Sequence, residues 1–160
     1  MRLRSILLVA VAAAVLAVAL AGVAAWVLTR PPTAAQSSLG LLKVSGYEKT
    51  GQLDEGGPSS NSESVGVYIG PVVAYSHVAS IVDGPGVKVK VLRSPSAAVE
   101  FPGTIDIARG DAPGNCGLFV SVFRKAAQPY SWFGISQGQL QQVRAGQLAI
   151  LLLTSVCGSG

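Results

Sequence analysis

An unbroken apolar run near the start of the chain limits what everything after it can be. From Ile6 to Leu28, 23 consecutive positions are apolar or Gly. A helix rising about 1.5 Å per residue stretches such a run to roughly 34 Å, enough to cross a hydrocarbon core about 30 Å thick. The run also contains Ala19-Leu20-Ala21, a small-residue pattern of the kind signal peptidase cuts. Cutting there would leave Gly22 to Leu28 as an apolar stub, with Trp26 exposed to water. An intact helix instead sets Trp26 near the headgroups and Arg30 just beyond them. Residues 1–30 are therefore read as a retained anchor, with secretion after cleavage at Ala21 as the alternative.

Charge sets the orientation. Arg2 and Arg4 precede the run and Arg30 alone follows it closely, which places the amino terminus in the cytoplasm and the chain after Pro31 outside. The overall charge of +4 would suggest an acidic partner if it were spread over the domain. Residues 31–160, however, hold nine Lys and Arg against eight Asp and Glu, a net of only +1. The basic excess is a topology signal, and no stretch interleaves cations with aromatics as a nucleic-acid surface requires.

The two cysteines, Cys116 and Cys157, fit export to an oxidising compartment, where a pair in a small domain forms one disulfide. Closing a loop of about 40 residues contributes roughly 3–4 kcal/mol in the loop-entropy account. Two separate buried thiols are the alternative. With one His in the chain, these cysteines cannot complete a four-ligand zinc site.

After the anchor, "PPTAAQSS" reads as a tether and "EKTGQLDEGGPSSNSES" as a long mobile loop, with a short apolar strand at 39–46 between them. From Ser64 onward the pattern becomes strands divided by turn residues. "VKVKVLR" sets Val87, Val89 and Val91 on one face and Lys88 and Lys90 on the other, while Ile105 and Ile107 oppose Asp106. Pro102 points to an edge or a bulge. "CGLFVSVFRK" and "GQLAILLLTSVC" are apolar on both alternating faces, as central strands covered on both sides should be. "SQGQLQQVRAG" reads as a short helical turn or crossing loop capped by Ser136. The expected fold is mainly β: an N-terminal transmembrane helix, a flexible segment over 31–63, and a small antiparallel β-sandwich over 64–160, Ig-like or jelly-roll-like, of about six to eight strands.

Chemistry is sparse. "GISQG" around Ser136 matches the pattern of a strained nucleophile turn, yet no Asp, Glu or His follows Asp111 to serve it in that fold. His77, the only histidine, with Asp83 or Asp106 and Ser136, would supply the other protease order, but such enzymes need more chain than is present. The aromatic group Tyr130, Trp132 and Phe133 is a candidate contact patch, because neighbouring residues on a strand point to opposite faces. Leu39, Leu41, Leu42 and Val44 either pair within their own domain or donate a strand to a neighbouring subunit.

The reading is thus a membrane-anchored extracytoplasmic binding or accessory domain that uses a protein partner or self-association, with no catalysis, cofactor, metal or nucleic acid. A surface-filament or envelope subunit joined by donation of 39–46 is one alternative, and a small serine hydrolase using Ser136 and His77 is another.

Overall fold

The β-branched runs pair into one large antiparallel sheet. The computed structural model describes residues 31–55, 61–97, 103–123 and 134–158. The span expected over 6–28 and the aromatic group Tyr130, Trp132 and Phe133 lie outside the described residues. Residues Pro32–Gly160 form one unit. It opens with helix α1 (Ala34–Gly40), followed by β1 (Lys43–Val44), β2 (Glu48–Glu55) and β3 (Ser62–Pro71). A 3₁₀ turn over Tyr75–His77 then leads into α2 (Val78–Ile81), β4 (Val82–Asp83), β5 (Lys88–Ala97) and β6 (Thr104–Ala112). The unit finishes with β7 (Cys116–Phe123), α3 (Gln137–Arg144) and β8 (Leu148–Cys157).

Six strands pair in the order β2-β3-β8-β7-β6-β5, each antiparallel to its neighbour, and β1 pairs with β4 as a separate two-stranded ribbon. The two strands that are apolar on both faces, β7 and β8, take the centre, as their sequences require. Strand β8 alternates Leu151 and Leu153 onto a first face and Ile150 and Leu152 onto a second. The first face carries Tyr68, Leu118, Val120 and Ile107 and is closed by Ala35 and Leu39 of α1, Val44 and Val82 of the ribbon, and Val78 of α2. On the second face, Val65, Val67, Ile69, Ile150 and Leu152 pack with Ile135 and with Leu140 of α3. The chain is mainly β with two antiparallel sheets. Among the described residues, the layers facing the large sheet are helices and the two-stranded ribbon, not a second large sheet.

The segment read as flexible over 31–63 builds three elements. Thr33 caps α1: its hydroxyl accepts from Gln36 N at 3.2 Å and the Gln36 side chain accepts from Thr33 N at 2.7 Å, the reciprocal box that starts a helix. Ala35 and Leu39 then bury fully. The expected strand over 39–46 shrinks to Lys43–Val44, with Leu39 still helical. The polar stretch from Glu48 becomes an edge strand, which needs an apolar residue only where one face is covered, and Leu53 supplies it. Tyr47 fixes where this strand begins. Its ring lies over Gly70, where a Cβ would stand 2.5 Å from the ring, and its hydroxyl donates to the Pro71 carbonyl.

The Cys116–Cys157 disulfide forms between the first residue of β7 and the last of β8, with Cα atoms 4.4 Å apart. Both cysteines are buried. The turn before Cys116 uses Gly114 and Asn115 at positive φ, 81° and 59°, a conformation that Gly and Asn tolerate best. The turn-forming triplet Ser94-Pro95-Ser96 lies inside β5, where pairing with β6 breaks between Val91 and Ser96.

Candidate functional site

On the second face the sheet is covered over β3 and β8 and exposed at Lys88, Lys90 and Arg109, while Thr104, Asp106 and Ser121 between these parts are buried. Where β3 and β8 lie, α3 covers it; across β7, β6 and β5 no described helix packs on it. What this open part presents is decided by a β-bulge in β6. Asp106 pairs with Ser121 and Ala108 with Val120, so Ile107 is an extra residue and both Ile107 and Ala108 turn into the first-face core. The alternation therefore shifts by one. Arg109, which strict alternation would align with Ile105 and Ile107, emerges on the second face beside Asp106.

Three interactions organise that surface. The buried Asp106 carboxylate accepts from the Ser121 hydroxyl at 2.7 Å and receives Arg109 Nη2 at 3.3 Å. The Arg109 guanidinium lies 5.3 Å from the centre of the Phe119 ring, within cation–π range. Phe119 is half-buried, and the Arg109 side chain is 52% exposed, so the ion pair adds little stability and the charge stays available. Directly opposite Arg109 in the β5–β6 register stands Lys90, exposed, with Lys88 opposite Asp111 one step further along the same face. Among the described residues neither lysine joins an ion pair. Like charges facing each other across an antiparallel pair destabilise the sheet.

The opposite edge handles its charge differently. Gln52 Nε2 donates to Asp54 Oδ1 at 2.7 Å and to Ser64 Oγ at 3.0 Å, the Ser64 hydroxyl donates to Asp54, and Lys49 Nζ donates to Gln52 Oε1. Burial alone would raise the Asp54 carboxyl, but hydrogen bonds from Ser64, Gln52 and Gln36 and the charge of Lys49 outweigh it and hold the group below its ordinary value. Burial lowers Lys49, with Asp54 acting against that shift. Beyond this network, at the end of the strand, Glu55 pairs directly with Glu63 on the second face.

The residues singled out by sequence are dispersed. Leu39, Leu42 and Val44 are buried in the first-face core, and only Leu41, at 51%, is exposed. His77 sits in the exposed 3₁₀ turn, not on a strand, immediately before the first-face residue Val78. Ser136 follows Ile135 on the second-face side, and its hydroxyl accepts from Gln139 N at 3.2 Å as the cap of α3. The sheet separates the two. Asp83 closes its own turn by accepting from Gly84 N at 2.8 Å, and Asp106 is engaged with Ser121. Among the described residues no three His, Cys, Asp or Glu side chains group as metal ligands. Sequence reasoning saw Lys88 and Lys90 as a wet face but missed Arg109 and Phe119. No known protein family, curated protein or solved structure matches the chain.

Proposed function

We propose that this chain is a membrane-anchored extracytoplasmic binding domain that holds a protein partner against the second face of β5, β6 and β7 and carries no catalytic machinery. The observation behind this reading is the Lys90–Arg109 pairing beside the half-buried Phe119. A cation pair that costs the isolated sheet stability, set next to an aromatic and an anchored Arg, has the composition of an interface centre. The partner chemistry it fits is a carboxylate-bearing segment with an apolar neighbour. Export rests on the apolar leader, its charge asymmetry and a disulfide that forms in oxidising surroundings.

The alternatives need rearrangements with large costs. Donating residues 39–46 to a neighbouring subunit would withdraw Leu39, Leu42 and Val44 from their own core. A hydrolase built from Ser136 and His77 would have to bring together groups attached to opposite faces of the sheet.

A photoreactive residue placed at position 90 of the full chain in its membrane tests the binding surface. The expected outcome is a discrete adduct that is absent when the probe sits at exposed Gln141 on α3 and lost when Arg109→Glu is added. Equal labelling from positions 90 and 141, or none from 90, overturns the reading. A reporter enzyme that folds only outside the cytoplasm, fused after Gly160, should be active; an inactive reporter would remove the topology.

A further inference from the structure

The two outermost strands of the large sheet are of opposite charge. Strand β5 carries Lys88, Lys90 and Arg93 and no acid, whereas β2 carries Glu48, Asp54 and Glu55 against the single Lys49. These edges belong to a unit that is close to neutral as a whole. On the second face each edge ends in a like-charge cross-strand pair: Lys90 against Arg109 at one side, Glu55 against Glu63 at the other. The Lys90–Arg109 pairing opposes two cations within a single copy, which is unfavourable.

The topology makes the edges compatible. Six strands, each antiparallel to the next, leave β2 and β5 running in opposite directions. A second copy placed beside the first by a shift across the sheet therefore sets its β2 antiparallel to β5 with corresponding faces aligned. In the register that puts Glu55 opposite Lys90, the second-face row reads Glu63, Glu55, Lys90, Arg109, two carboxylates running into two cations. The half-buried Phe119 extends that row, because it pairs with Arg109. Pairing β5 with β5 would oppose cations to cations, and pairing β2 with β2 would oppose acids to acids. Both symmetric arrangements are disfavoured, and the head-to-tail one remains. The edge lysines that discourage random strand pairing thus select one partner.

We infer that the binding surface on β5 and β6 takes the β2 edge of a second copy of this chain, giving a head-to-tail, edge-to-edge assembly on the membrane. This deepens the proposed binding function and rests on it. The contact is heterologous, so a pair of copies keeps one β2 edge and one β5 edge for further copies. Tethering to a bilayer raises the local concentration at which such edges meet.

Two differently tagged full-length chains, one carrying Glu55→Cys and the other Lys90→Cys, test this when coexpressed and mildly oxidised in their membranes. The native cysteines are buried as a disulfide and do not compete. The expected result is a mixed covalent dimer at several times the yield of either same-site dimer, and a ladder of multimers when both substitutions share one chain. Charge reversal gives a second readout: Lys90→Glu should abolish assembly measured by native sizing in mild detergent, and Lys90→Glu with Glu55→Lys should restore it. Mixed and same-site dimers in equal yield, or no rescue by the double reversal, overturn the inference. If the probe at position 90 still captures a different protein, the binding reading stands and self-association alone falls; if it captures nothing, both fall.

Discussion

The half of the sheet built on β3 and β8 and the half built on β6 and β5 solve the same problem in different ways. Around β3 and β8 both faces are covered, by α1 on one side and α3 on the other, and the polar groups at the neighbouring edge satisfy one another through Ser64, Gln52 and Asp54. Around β6 and β5 the first face is packed against α2 and the ribbon, while the second buries Thr104 and Asp106 and exposes Arg109, Lys88 and Lys90, with no described helix over them. A closed half and a half-open one in a single sheet show that stability and recognition are drawn from different strands. The first can be damaged without touching the surface, and the second can be altered without unfolding the domain.

The largest expected effect tests that division. Leu152 is fully buried at the centre of the closed half, and Leu152→Ala should cost about 2–5 kcal/mol through lost burial and the cavity it leaves. Lys88→Ala in the open half should change stability by less than about 0.5 kcal/mol. Urea unfolding of the two variants, each with the disulfide intact, measures both. Similar losses from the two would erase the distinction between the halves.

A second substitution probes the boundary. Among the described residues Asp106 is the one buried carboxylate on that side, and removing it leaves the Ser121 hydroxyl, itself 4% exposed, without its acceptor. Asp106→Ala is expected to lose about 1–3 kcal/mol, and adding Ser121→Ala should recover part of that, because removing both partners costs less than orphaning one. A double variant weaker than the single would mean that Asp106 acts mainly through Arg109.

These residues also show what could be read from sequence and what could not. The central strands announced themselves, since β7 and β8 are apolar on both faces and had to lie inside. The cysteine pair was equally plain. Helix α1 was overlooked although Thr33 and Gln36 repeat the capping spacing of Ser136 and Gln139. A seven-residue helix has too few turns to show an apolar period, so only its cap could have revealed it. Strand β2 was hidden because an edge strand need not alternate cleanly. The open surface was hidden by one extra residue: nothing in "TIDIARG" marks Ile107 as bulged, yet that bulge turns Arg109 outward and places it over Phe119. Hydrophobic period locates strands well, but the face a charge occupies beyond a bulge depends on pairing partners far along the chain.

Within the closed half, one group is less well satisfied than its neighbours. Ser38 in α1 is 2% exposed, and its hydroxyl has no hydrogen-bond partner. It lies in the helix that packs on β3 and β8, where Ser62, Ser64 and Ser155 are also buried. Removing an unpartnered buried hydroxyl relieves a desolvation penalty, so Ser38→Ala is expected to stabilise the unit by about 1 kcal/mol. Ser64→Ala, which would break the contacts to Gln52 and Asp54, should destabilise it. Opposite signs from two serines on one face, read as shifts in unfolding midpoint, would show that hydrogen bonding and not side-chain volume governs this layer.

The smallest effect concerns pH and separates the two charged edges. Asp54 is held below its ordinary carboxyl value of 3.8, since hydrogen bonds from Ser64, Gln52 and Gln36 and the Lys49 charge prevail over burial. A carboxyl depressed in the folded state gives stability that is complete above its unfolded value and is lost as pH falls through the folded one. The unfolding midpoint should therefore begin to drop below about pH 4, and Asp54→Asn should flatten that decline while leaving the shape of the curve near neutrality unchanged. Substituting Lys88 or Lys90 should leave the acid slope as it is, because those ammonium groups take part in no ion pair among the described residues. An acid slope that vanished with Lys90→Ala and persisted in Asp54→Asn would reverse the assignment of an engaged carboxylate to Asp54 and of unpaired cations to β5, and with it the reason for treating β5 as an edge that seeks a partner.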